Sequence, residues 1–349
     1  MILIFVVVIL TVVFSSSIRP KDSWKDSYIS IEQSRSIEGI FVILIFMGHV
    51  VRYFGSFNAF DMPYLAVINH LNQAVIAMFL FYSGFGMTQS LKIKGTDYLK
   101  KIPFKRFLPL LIKYEIITLI FLTVRLFIGI IPDTNNLLLS FTGWENLGNF
   151  GWYVFIMLCL YILFVISFFI SHKATSGHKA LITGALILTA LSILFMLLLC
   201  FPGHRGIWFY DTILIFCVGS WYSIFKDKAE AFLDSDLRYI ITGFICLALY
   251  AVTAYFRDLH FVLHELFLLC FTAAVILITV KINIKSKVLD FFGSLAFPMF
   301  MFQGLAFLVF SNLNIQSSPY LFVIITFSVS VIISILFKKI SEVFSRKAS

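Results

Sequence analysis

Charge is scarce in this sequence. Asp, Glu, Lys and Arg make up 13% of the 349 residues, while 60% are hydrophobic and the mean hydropathy is +0.97. A soluble domain of this size needs far more polar surface to cover its core, so a water-soluble globule is excluded. Paired cysteines are missing as well. Cys159, Cys200, Cys217, Cys246 and Cys270 all lie inside apolar runs, without the spacing of a disulfide framework or a zinc site. The sequence holds no glycine-rich nucleotide loop, which argues against an ATP-driven pump, and no nucleophile elbow with its partners. It contains no internal repeat, no low-complexity stretch and no soluble domain. The short alternating segments of a transmembrane barrel are also absent.

What the sequence does have is apolar runs near membrane-spanning length. They fall at about 2–17, 37–54, 74–90, 107–130, 151–171, 180–201, 208–225, 239–256, 261–280, 291–310 and 320–337. Each is close to the roughly 20 residues a helix needs to cross the hydrocarbon core. Helices are required, because an open strand in lipid leaves its backbone groups unpaired. The expected fold is therefore an all-α, polytopic transmembrane helix bundle with about 10–11 spans. An extra N-terminal helix and cytosolic linker are expected over 1–36, the main bundle over 37–340, and a short cytosolic tail over 341–349.

The net charge of +9 would suggest nucleic acid in a soluble protein. Here it sits in short loops and sets orientation instead. With residues 18–36 in the cytosol, 22 of the 27 Lys and Arg residues fall on the inner side. Among these are Arg19, Lys21, Lys25 and Arg35. Only Arg52, Arg205 and Arg257 fall outside, and Lys113 and Arg125 lie within a span. Run 2–17 has neither a preceding positive charge nor a small-residue cleavage site before Arg19. It reads as an outside-to-inside anchor rather than a signal peptide, with a mis-set start codon as the bland alternative. The outer loops 55–73 and 131–150, rich in Asn and aromatics, are candidates to cap a cavity.

An ionisable side chain within the bilayer costs about 2.5–3.5 kcal/mol on insertion scales, so each one invites a functional reading. His49 leads, about twelve residues into its run and roughly 18 Å along the helix. An imidazole there can take a proton from a hydroxyl, and the alternative is a histidine used for packing. Lys113 can snorkel to the inner face. Glu115 is deeper and calls for a polar cavity or a basic partner, while Arg125 can reach the outer interface. The cytosolic segment 91–106 is the densest basic cluster, with Lys92, Lys94, Lys100, Lys101, Lys105 and Arg106. It can anchor to anionic lipid or receive a phosphorylated cofactor. His260 and His264 are one turn apart beside Glu265, but no obvious third ligand makes them a metal site, and none is expected.

Four stretches, taken in order, carry a resemblance. The first is Ser34-Arg35-Ser36-Ile37-Glu38-Gly39-Ile40, running on to Gly48-His49. The second is Met78-Phe79-Leu80-Phe81-Tyr82-Ser83-Gly84-Phe85-Gly86. The third is Lys105-Arg106-Phe107-Leu108-Pro109. The last comprises Gly151-Trp152-Tyr153-Val154-Phe155 and Phe291-Phe292-Gly293-Ser294. Together they resemble the membrane acyltransferase 3 family, integral-membrane O-acyltransferases that act on surface carbohydrates, over about 30–340. Three positions depart from the family pattern. Glu38 stands eleven residues before His49, where a basic residue is usual, and Arg35 is one turn earlier. Pro103 stands at the first arginine of an Arg-x-x-Arg pattern. Gln303, in Phe300-Met301-Phe302-Gln303, stands where histidine is common and cannot titrate.

The resemblance implies transfer of an acyl group, most simply acetyl, from cytosolic acyl-CoA to a carbohydrate hydroxyl in a bacterial inner or plasma membrane. His49 is then the general base or assists acyl relay, with Glu115 orienting or balancing it. Arg35, Lys101, Lys105 and Arg106 bind acetyl-CoA, and Ser83, Trp152, Tyr153 and Gln303 line the cavity. Gly84 and Gly86 read as close-packing positions. The partners are a carbohydrate acceptor, acyl-CoA and membrane lipid, with no nucleic acid. Two other readings stay open. One is a transporter or flippase of a glycan precursor, which would show paired broken helices. The other is a catalytically idle scaffold or sensor, kept open by Glu38 and Gln303.

Overall fold

The computed structural model describes residues 1–20, 23–25 and 27–347, so Lys21 of the inner charge count lies outside the described residues. The chain is almost wholly helical. In order it forms α1 (Ile2–Phe14), β1 (Ser16–Ile18), α2 (Ile31–Val50), α3 (Met62–Lys94), α4 (Asp97–Ile102), α5 (Leu108–Phe127), α6 (Thr134–Ser140) and α7 (Gly151–Ala174). Then follow α8 (Gly177–Cys200), α9 (Ile213–Leu233), α10 (Asp236–Phe256), α11 (Phe261–Lys281), β2 (Ile282–Ile284), α12 (Lys287–Ser294), α13 (Ala296–Asn312) and α14 (Pro319–Lys347). Among the described residues nine helices, some joined across short turns, are long and apolar enough to cross a membrane. The pair α12 and α13 makes a tenth if counted as one span, although it bends by 72° at Leu295. Large apolar side chains such as Phe127, Phe244, Leu247 and Ile324 remain exposed on the bundle's outside. Lipid, not water, is the solvent that accepts such a surface. The protein is thus an all-α polytopic membrane bundle.

Three sequence expectations change in detail. The run at 2–17 becomes a 13-residue helix, too short to pass as a full span. Both of its ends are tied to distant parts of the chain. At one end the Met1 amino group meets Asp61 Oδ1 at 3.0 Å and donates to the Tyr320 hydroxyl. At the other, β1 pairs antiparallel with β2, Ser17 opposite Asn283. This small ladder was not foreseen, and it lets a short helix end without leaving backbone groups unpaired. Second, α2 starts six residues before its apolar run. Ser30 caps it by accepting from the Gln33 amide, and His49 stands one residue before its last, Val50. Third, the basic segment 91–106 is largely helical. Lys92 and Lys94 end α3, Lys100 and Lys101 lie on α4, and a π-helical turn at Pro103–Phe107 carries Lys105 and Arg106 into α5. The tail from 341 likewise continues α14 to Lys347.

Two reciprocal glycine contacts hold the centre. On α2, a methyl at Gly39 would collide with the Leu289 carbonyl, while one at Gly293 of α12 would collide with the Arg35 carbonyl. Gly84 of α3 and Gly219 of α9 face the Phe216 and Phe81 carbonyls in the same way. The packing expected of Gly84 is therefore observed. Gly86 has open space around its Cα instead, so the packing reading does not hold there.

Candidate functional site

The contact of Gly39 with α12 places Glu38 beside Gly293 and Ser294, at the inner end of a cavity of about 240 Å³. Its walls come from five helices. Ile45 of α2, Ile76 and Phe79 of α3, Tyr153 of α7 and Phe300 of α13 line it with Glu38. The bend between α12 and α13 makes this room, since Gly293, Ser294 and Ala296 flank the break and all line the cavity. Ile45 and Ile76 are shared with a small recess lined by Gly48, His49, Ile68 and Val75. The two cavities abut, and His49 stands at their outer end. Glu38 and His49 are eleven residues apart on one helix, about 16 Å along its axis.

His49 is held by aromatic faces. Phe150 stacks on the imidazole at 4.2 Å between centroids with 6° between planes, and Phe300 lies 6.2 Å away. The polar group facing the ring is Gln303, itself fully buried on α13. Gln303 donates through Nε2 to the Phe300 carbonyl. Neither His49 Nδ1 nor Gln303 Oε1 has a well-directed hydrogen bond among the described residues, although both are buried. An imidazole and an amide that meet at a cavity wall can exchange hydrogen bonds with a hydroxyl received there.

Phe150 reaches the ring from the outer loop. Its backbone is left-handed, φ 52° and ψ 35°, unusual for a side chain of that bulk. The loop is tied down on all sides. Asn149 donates to Thr118, Arg125 to the Leu147 carbonyl, and Arg205 to Glu145 at 2.8 Å and to the Trp144 carbonyl. Gly304 of α13 lies against the Gly148 carbonyl. Loop 131–150 thus caps the site, and Arg125 holds that cap in addition to standing near the interface.

The other sequence candidates separate. Tyr153 lines the cavity and meets Phe300 edge-on at 5.4 Å. Trp152 turns aside to pack on Phe209. Ser83 lies one turn beyond Phe79 on the same face of α3 and is not part of the cavity wall. Arg35 sits one turn before Glu38 and interacts with it at the inner mouth. Glu115 is on α5, half-buried, and the charged and polar groups acting on His49 are Arg52 and Gln303 instead. Lys101 and Lys105 are exposed, while Arg106 lies 6.0 Å over the Tyr98 ring. Tyr98, under that guanidinium, is itself buried. Phe150, Phe300, Ile45 and Ile76 escaped sequence reasoning, because an aromatic or aliphatic residue in an apolar run carries no local sign of what it will face.

Among the described residues no group of three His, Cys, Asp or Glu side chains could hold a metal ion. His260 instead caps α11 by accepting from the Val262 amide.

A bundle of this kind, with an apolar exterior and a histidine among the residues that line its interior cavities, defines a multi-pass membrane protein. The family model described as acyltransferase domain, acyltransferase 3, matches residues 35–339, and the chain belongs to that family. The matched region begins at Arg35 and contains every residue of the chamber. No curated protein and no solved structure matches the chain.

Proposed function

We propose that this acyltransferase moves an acyl group, most simply acetyl, from cytosolic acyl-CoA to a hydroxyl of a surface or exported polysaccharide across a bacterial plasma membrane. The observation that carries the reading is the pair of abutting cavities from Glu38 and Ser294 to His49. It offers an acyl chain a mostly apolar passage from the basic side to an imidazole near the other. His49 takes the proton of the accepting hydroxyl as its oxygen attacks the thioester carbonyl. The C–S bond breaks, CoA leaves and takes up that proton as its thiol, and Gln303 presents an amide to the reacting group, the roles their chemistry permits. Arg106, Lys105 and Lys101 meet the phosphates of the donor, with Arg35 at the mouth. Glu38 replaces a cation there, so phosphate recognition rests on the π-helical turn more than on α2. Glu115, on α5, orients the imidazole only through intervening residues.

The test is mass spectrometry of surface glycans from cells carrying the wild-type protein, His49→Ala or a deletion. O-Acyl groups should fall to the deletion level in His49→Ala, with the protein still present in the membrane. Identical acylation in all three strains would refute the assignment.

A further inference from the structure

A second chamber, of about 600 Å³, lies at the outer ends of α8, α9, α10 and α11 and is not part of the His49 site. Asn69 and Gln73 of α3 form one wall, whereas Ile68 and Val75 of the same helix line the His49 recess, so α3 separates the two. Asp211 lines this chamber although it is fully buried. His264 Nε2 faces its Oδ2 at 3.3 Å, and Gln73 lies within reach. Even so, neither carboxylate oxygen has a well-directed hydrogen bond among the described residues, and Oε1 of the adjacent Glu265 is also buried without one. A carboxylate placed so in a cavity wall needs donors from whatever occupies the cavity.

The chemistry of the walls narrows the occupant. A lipid chain has no donors. An anion meets one arginine in the described wall, and Arg257 spends its guanidinium on the His70 and Asn69 carbonyls, at 2.6 and 3.0 Å, and on the Phe267 ring, while the wall also carries Asp211 and Asp258. A metal lacks a third convergent ligand among the described residues. Carboxylate acceptors, the amides of Asn69 and Gln73, and the aromatic faces of Tyr210 and Phe267 suit a ring that is apolar on its faces and hydroxylated at its edge.

We propose that this outward chamber binds a neutral saccharide unit, its hydroxyls donating to Asp211 and its ring lying on the aromatic wall. On the acyl-transfer reading this unit belongs to the acceptor chain, but its retention requires neither acyl donor nor His49. The test is native mass spectrometry of the full chain in nanodiscs free of sugar detergents, incubated with a pool of neutral di- and trisaccharides and with choline. The wild type and His49→Ala should retain a saccharide equally, and Asp211→Asn and Gln73→Leu at least tenfold less. If Asp211→Asn does not assemble, Gln73→Leu decides. No saccharide on the wild type, equal retention by an assembled variant, or choline held in its place would overturn the proposal. Loss of glycan acylation with saccharide binding intact in His49→Ala keeps this site apart from the catalytic reading.

Discussion

Phe150 and His49 show how much a single side chain can settle. The stacked pair brings an outer loop and α2 together, and Phe150 does so from a left-handed backbone that costs about 1–3 kcal/mol. Such a conformation persists only where its surroundings enforce it, as the bonds from Asn149, Arg125 and Arg205 do here. Phe150→Ala should therefore leave assembly largely intact while freeing the imidazole to turn. A fall in acyl transfer of about tenfold is expected, on the scale of an aromatic contact worth about 0.5–1.5 kcal/mol. Glycan mass spectrometry normalised to membrane protein level checks it; unchanged transfer would mean the stack does not orient the base. His49 itself was legible in the sequence, because a histidine in an apolar run stands out. Phe150, one of 42 phenylalanines, was not.

Helices meet here through backbone, and that decides where the chamber lies. Gly39 and Gly293 bring α2 and α12 so close that each faces the other's carbonyl, and α13 then bends away at Leu295 to open the cavity. Gly39→Ala or Gly293→Ala should push these helices apart and lower stability by about 1–3 kcal/mol, the usual cost of overpacking. A lower thermal midpoint in detergent or nanodiscs is the measurement. Gly86→Ala, with open space around it, should change the midpoint little. Equal midpoints for all three would show that the contacts yield more readily than their geometry implies. The sequence placed Gly84 and Gly86 in one motif and could not tell them apart, since only the partner helix distinguishes a contact from open space. The bend in α12–α13 was equally hidden, as the run 291–310 is apolar throughout. A single bent pair, without a counterpart among the described residues, also falls short of the paired broken helices that the transport reading called for.

Across the whole molecule, charge gives direction. The basic side carries Arg106 and Lys105 on a π-helical turn, with Arg106 over the Tyr98 ring. Reversing both charges, Lys105→Glu with Arg106→Glu, should weaken acyl-CoA binding by tenfold or more while leaving membrane orientation unchanged, because the remaining inner cations still outnumber the outer ones. Acyl-CoA titration of the purified protein and protease accessibility of its loops read the two effects separately. Binding unaffected by the reversal would leave the segment as an anchor to lipid. The sequence alone determined that this chain belongs in a membrane and that it is helical, and its cations set the expected orientation, since burial of apolar surface and the placement of cations do not depend on which helices touch. The meeting of Glu38 with Ser294, of His49 with Phe150 and Gln303, and of Asp211 with His264 was decided only by the tertiary structure. Each joins residues far apart in a sequence whose apolar runs look alike, and only close packing selects among them.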